Sequence, residues 1–404
     1  MSHPANEPAT DRPPVTADVA PPGAAAAETR LGGLRIPTDS LRAYTMVFAL
    51  VVIWAYFHFS TDQIFLSPLN LSKLFQQMAV TGVLAVGMLL VIVAGQSDLS
   101  VGAVVGLAGG VAAMTQESGL AVSLLSAVAI GVAIGAAQGG LVAYANIPAF
   151  IVTLGGMLAW RGLILRISEG RTYPVRLPVF RSLGTDFVAP TVGYALAGAA
   201  IVGIVLLTLR RNRARRRHGL TPSGAVATAA RILVPSIVIA LFIYMMNRQG
   251  GVPLPVIILL GVAILGAFLT QNTTFGRYLY AIGGNPDAAR LSGISLRRHI
   301  LLAFALLGAL VGVASLLHTA RVGSASPDAG NLMELDAIAA CVIGGTSLMG
   351  GRGTVFGAML GALIMASLDN GMSLLNIQSS TQYIVKGGVL VAAVGFDMLG
   401  RRKG

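Results

Sequence analysis

The chain has 404 residues, of which 55% are hydrophobic and only 11% charged, against about 25% charged in an ordinary soluble domain; that balance excludes a soluble globular enzyme. A net charge of +12 and a pI near 10.5 would also suit nucleic-acid binding. Lys and Arg placed in the connections of a multi-span membrane protein explain the same excess without one.

Residues 1–40 are rich in Pro and Ala and lack the apolar stretch of a cleaved signal peptide, so they read as a disordered cytoplasmic tail. Residues 41–404 read as one transmembrane domain. Its apolar runs have the length of membrane-crossing helices. They fall at 44–60, 76–95, 99–116, 120–143, 149–168 and 190–209, then at 231–247, 253–270, 300–319, 333–349, 354–371 and 381–399. Short polar breaks at 96–98 and 350–353 read as kinks or re-entrant turns. A basic cytoplasmic loop is expected at 210–231, containing the run Arg210–Arg217, and a second cytoplasmic loop at 271–299. With the N-terminus inside, nineteen of the 28 Lys and Arg fall on the cytoplasmic side and six on the other. This asymmetry favours both termini in the cytoplasm and an even number of spans. The expected fold class is all-α: a polytopic membrane helix bundle of ten to twelve transmembrane helices.

Glycine recurs every fourth residue in three stripes, Gly102/Gly106/Gly110, Gly131/Gly135/Gly139 and Gly353/Gly357/Gly361. Small residues at this spacing let helix backbones approach closely in lipid. The stripes suit packing within one subunit or a subunit interface, the first being the simpler. The single cysteine, Cys341, sits in an apolar run, which excludes an intrachain disulfide and reads as a small packing residue.

Polar groups at membrane depth are costly, about 2.5 to 3.5 kcal/mol for a charge at a helix centre, so those that persist are candidates for function. Gln96, Asp98 and Ser100 interrupt two spans, where they either cap the next helix or line a solute path. Glu334 and Asp336 open a span and also suit the helix dipole. Asn146, Thr153 and Asn370 complete the candidate translocation path, each with a packing or capping role as its alternative. Arg166 and Lys386 are expected to snorkel towards the membrane surface. No pair of buried carboxylates with a matching His or Lys stands out as a proton relay, and no metal site is expected.

The segment GGNPDAARLSGISLRRH, residues 283–299, reads as a short helix at the membrane surface. Asn285 is its N-cap, Pro286 its first residue, Asp287 faces the positive dipole end and Gly293 terminates it. So short a helix must be supported by packing. It is either an ordinary interfacial loop or a docking helix for a cytoplasmic partner.

That segment resembles the cytoplasmic coupling loop of the permease subunits of ribose- and xylose-type sugar ABC importers. The resemblance extends over most of the chain after residue 75. QSDLSVGAVVGLAGG, NIPAFIVTLGGMLAWRGL and RVGSASPDAGNLMELDAIAACVIGGTSLMGGRGTVFGAMLGALI each resemble a family motif, in the family's order. The segments between Arg171 and Asn272, and the ending IVKGGVLVAAVGFDML, look more like xylose than ribose permeases. The resemblance implies that Asn285, Asp287, Ala288, Ala289, Arg290 and Gly293 contact a cytoplasmic ATP-binding subunit. It also implies a pair of permease chains around one pathway, supplied by a periplasmic sugar-binding protein, in a bacterial inner membrane. The expected function is import of a pentose by alternating access. The chain has no Gly-x-x-x-x-Gly-Lys-[Ser/Thr] loop, so it is not expected to be an enzyme. It binds no cofactor on this reading, and ATP is used by the partner.

Two other classes compete. A proton-coupled secondary transporter of the major facilitator type suits twelve spans with a basic loop after the sixth. It lacks the Gly-x-x-x-Asp-Arg-x-Gly-Arg-Arg type of loop, having GQSDLSVG there. An intramembrane enzyme would need a metal or nucleophile constellation. Yet His3, His58, His218 and His299 lie in tails, loops or span ends, and His318 has no neighbouring ligand in sequence. The Arg210–Arg217 run has three readings, of which topology enforcement is favoured over contact with the ATPase or with anionic lipid.

Overall fold

A computed structural model describes residues 28–31, 34–217 and 224–401. The chain divides into a short unit, Met1–Leu41, and a main unit, Arg42–Gly404. In the short unit, strand β1 (Glu28–Leu31) pairs antiparallel with β2 (Leu34–Pro37), and helix α1 (Thr38–Ser60) begins. Residues 1–27 of the expected tail lie outside the described residues.

The main unit continues with α2 (Pro68–Val93), α3 (Val101–Met114), α4 (Leu120–Tyr144) and α5 (Ala149–Ser168). Next come strand β3 (Tyr173–Pro174), the short α6 (Pro178–Thr185), strand β4 (Phe187–Val188), α7 (Pro190–Arg217) and α8 (Ala225–Asn247). Strand β5 (Val252–Pro253) leads into α9 (Leu254–Asn272), α10 (Thr274–Gly284), α11 (Pro286–Leu291) and α12 (Leu296–Val322). Strand β6 (Ser324–Ala325), α13 (Met333–Ile343), α14 (Val355–Leu374) and α15 (Ser379–Arg401) complete it. Antiparallel pairs β3–β6 and β4–β5 tie distant connections together.

Eight described helices, α2, α4, α5, α7, α8, α9, α12 and α14, are long and apolar enough to cross a membrane. Helices α1 and α15, at 23 residues each, match them in length. The all-α polytopic architecture is therefore the one the sequence indicates. Two candidate spans differ: 99–116 becomes the 14-residue α3 and 333–349 the 11-residue α13. At 1.5 Å per residue these reach about 21 and 16 Å, short of the ~30 Å hydrocarbon core. Both are half-helices, and the polar breaks at 96–98 and 350–353 are where the chain leaves the regular ladder.

The run Arg210–Arg217, expected as part of a loop, is instead the last two turns of α7. Arg is a good helix former, and positive charge complements a helix C-terminus. At its other end, the expected loop 210–231 runs into α8, which begins at Ala225; residues 218–223 lie outside the described residues.

The glycine stripes pack within the chain. A Cβ on Gly131 or Gly308 would meet the backbone of the other residue, and one on Gly135 would meet the Phe304 carbonyl, so α4 and α12 cross in backbone contact. Gly102 and Gly106 lie against the 329–330 backbone, and Gly361 against Ala340. Helix α2 runs through the middle of this assembly, with Val83 to Val93 wholly or almost wholly buried. Cys341 is buried, and its Sγ donates to the Ala85 carbonyl at 3.2 Å, as a packing residue would.

Candidate functional site

Helix α11 is built as its sequence implies. Asn285 is extended, its Oδ1 accepts the Ala288 N–H at 2.9 Å, and Pro286 opens the helix. Ser292 Oγ donates to the Ala288 carbonyl at 2.9 Å. Gly293, at φ +81°, turns the chain back, and the Ile294 N–H donates to the Ala289 carbonyl at 3.1 Å. Asn285, Asp287, Ala288, Arg290 and Gly293 are exposed. Ala289, grouped with them from the sequence, is 4% exposed and seats the helix on its own bundle. Leu291 is the residue that sequence reasoning passed over: at 89% exposure it holds an apolar side chain out in solvent at the helix tip.

The base of α11 abuts both helix breaks. A Cβ on Gly283 would meet the Val93 carbonyl and the Gly351 nitrogen, so only glycine lets these three backbones meet. The Gly351 N–H donates to the Val93 carbonyl at 2.9 Å, and Tyr280 Oη donates to the Gly353 carbonyl at 2.8 Å. The end of α2, the approach to α14 and the end of α10 thus share one junction.

Beyond the first break, Asp98 and Ser100 are buried beside Gln138 of α4. Asp98 Oδ1 accepts the Ser100 N–H at 2.7 Å, and Ser100 Oγ lies 2.7 Å from that oxygen and 3.0 Å from Gln138 Oε1. The hydroxyl has one proton, so it serves one acceptor at a time. A cavity of about 10 Å³, the size of one water, opens against Asp98, Ser100, Gln138 and Leu307. Gln96 is half-buried at the break itself.

Around the second half-helix, Arg161 of α5 donates from Nη1 to the carbonyls of Pro327 (2.8 Å) and Ala329 (2.9 Å), holding the segment that enters α13 against the bundle. Leu332 there is left-handed at φ +61°. Glu334 packs on Gly102 of α3. Lys386 does not snorkel: its Nζ is 3.0 Å from Asp336 Oδ2 and 2.9 Å from Asp369 Oδ1. A buried carboxylate pair with a matching lysine is therefore present, contrary to the sequence reading. Asp369 lies near the end of a largely apolar span, and nothing local in the sequence marks Lys386 as its partner.

The remaining path candidates do not join these groups. Asn370 and Asn70 exchange side-chain hydrogen bonds of 2.7 and 3.0 Å between α14 and α2, which satisfies them as a pin. Thr153 Oγ1 donates to its own helix at Ala149 (2.8 Å). Asn146 lies near α11, in a cavity of about 390 Å³ shared with Arg290, Ser295 and Arg297.

The chain matches the family described as branched-chain amino acid transport system / permease component over residues 70–394. It is 43% identical over 372 residues to the xylose transport system permease protein of Haemophilus influenzae, covering 91% of this chain and 99% of that one. It is 37% identical to the ribose import permease protein of Escherichia coli K12, covering 81% of this chain and 85% of that one. It is 32% identical to the D-allose transport system permease protein of the same strain, covering 88% and 91%. No solved structure matches the chain. With that extent of match, and with its polytopic helical build, the chain belongs to this family of membrane permease components.

Proposed function

We propose that the chain is the membrane-spanning subunit of an ATP-driven monosaccharide importer of a bacterial inner membrane, carrying a pentose of the xylose type. The relatives named for xylose, allose and ribose support a sugar rather than an amino acid as cargo. ATP is hydrolysed on a separate cytoplasmic subunit, a periplasmic binding protein delivers the sugar, and two copies of this chain enclose the pathway in the lipid. No cofactor resides on the chain.

One observation carries the mechanism: the exposed, Leu291-tipped α11 stands on the junction where both helix breaks meet. A subunit that closes on ATP grips α11 through Leu291 and the exposed polar residues around it. Its displacement passes through Gly283 to Val93 and Gly351, because interlocked backbones cannot absorb it by side-chain rearrangement. The half-helices α3 and α13, not anchored across the whole membrane, are the elements free to respond. They carry Asp98, Ser100 and Glu334, which offer a sugar hydrogen-bond partners as the path changes sides; Asp336 is instead engaged by Lys386. A path must bind weakly enough to release, so selection belongs chiefly to the binding protein.

The test is a tagged purification in mild detergent with co-purifying chains identified by mass spectrometry, alongside uptake of labelled xylose, ribose and leucine. A stoichiometric ATPase and xylose uptake are the expected results; leucine uptake alone would overturn the cargo assignment. Leu291→Asp should remove the ATPase from the preparation, since losing an interface anchor costs about 2 kcal/mol or more.

A further inference from the structure

Three charged side chains meet inside the bundle in a way that transport does not explain. Lys386 of α15 bridges Asp336 of α13 and Asp369 of α14 at 3.0 and 2.9 Å, and the three side chains are only 18%, 11% and 15% exposed. Asp336 Oδ1 is buried with no hydrogen-bond donor. With every group ionised the cluster carries a net charge of −1 in a medium that cannot solvate it, which is costly. Among the described residues, no second cation is found beside the cluster. Helices α3 and α9 have no charged residue, and Lys73, the one on α2, is exposed near that helix's start. Glu334, the next acid on α13, sits against Gly102 of α3. Arg161 of α5 is engaged with the carbonyls of Pro327 and Ala329. The other charged residues of α15, Asp397 and Arg401, lie towards its far end.

We propose that Asp336, Lys386 and Asp369 form a proton-binding site, in which one proton taken from water is held by the carboxylate pair. The proton brings the cluster from −1 to neutral and gives the acid that holds it a donor. It belongs to the pair rather than to either residue. The site seats α15 on the α13–α14 hairpin. Separating α15 from the hairpin exposes both acids and releases the proton, so the seat weakens as pH rises.

The experiment is infrared spectroscopy of the full chain in bilayers, reading the C=O stretch of a protonated carboxylic acid and its shift in D2O. The spectra are read in an Asp98→Asn background, because Asp98 is a buried acid outside the cluster; that reference protein should show the band. Asp336→Asn and Asp369→Asn should each abolish it, because one acid with one lysine is already neutral. Lys386→Met should strengthen it about twofold, since both acids then require a proton. Glu334→Gln should leave it in place. No band in the reference protein, a band surviving both asparagine variants, or a band lost only in Glu334→Gln would each overturn the assignment. The reference and Glu334→Gln spectra decide even if the other variants do not fold. None of these readings depends on the sugar or the ATPase.

Discussion

Helix α2 is nearly as apolar as α8, with mean hydropathy 2.0 against 2.3, yet 89% of the most apolar stretch of α2 is buried within the protein against 6% for α8. Hydropathy registers only the absence of water, so it cannot separate a helix surrounded by other helices from one surrounded by lipid. The enclosed region, α2 with α3, α4, α12, α13 and α14, holds the backbone contacts at glycine, the helix breaks and the buried carboxylates. Among the described residues of the α7–α8 hairpin, only Gly193, Ala197, Ile243 and Met246 are buried. Machinery sits where packing fixes geometry, and the hairpin presents its apolar side chains outward.

Substitutions that add volume at glycines break this contrast most directly. Gly308→Val should eliminate folded protein in size-exclusion profiles. Its side chain meets the Gly131 backbone, which cannot yield as side chains do in the ~1–3 kcal/mol overpacking of ordinary cores. Tyr280→Phe separates folding from function: it removes the hydrogen bond to the Gly353 carbonyl without adding volume, so the ATPase should still co-purify while sugar uptake falls about tenfold, a loss of about 1.4 kcal/mol of coupling. Unchanged uptake would remove the junction from the transmission route. Asn370→Ala, which leaves Asn70 Oδ1 without its donor while its amide keeps the Phe65 carbonyl, should lower stability by about 1–2 kcal/mol in denaturant titration without changing cargo. At the other extreme, a Cβ on Gly198 of α7 meets nothing within 4 Å. Gly198→Val should therefore shift stability by less than about 0.5 kcal/mol. A large effect there would mean that another chain, rather than lipid, covers the hairpin.

By itself the sequence determined what is local. Composition and run length specified a membrane helix bundle, because burial in lipid is a property of each segment alone. Asn285, Pro286 and Gly293 specified α11, because caps and terminators act within one turn. The breaks near Gln96 and Arg352 were legible as polar interruptions of apolar runs, although their consequence, two half-length helices, was not. Arg210–Arg217 read as a loop by its charge alone, while its helix propensity went unweighed. Only the tertiary structure decided which partners meet. Lys386 finds Asp336 across 50 positions, and Asn70 finds Asn370 across 300. No spacing rule covers such pairs, since helix periodicity relates residues only three or four apart. The same holds for Gly131 against Gly308 and for Gly283 against Val93 and Gly351. A stripe of small residues announces a close approach, but the surface that approaches is chosen by how the whole bundle packs.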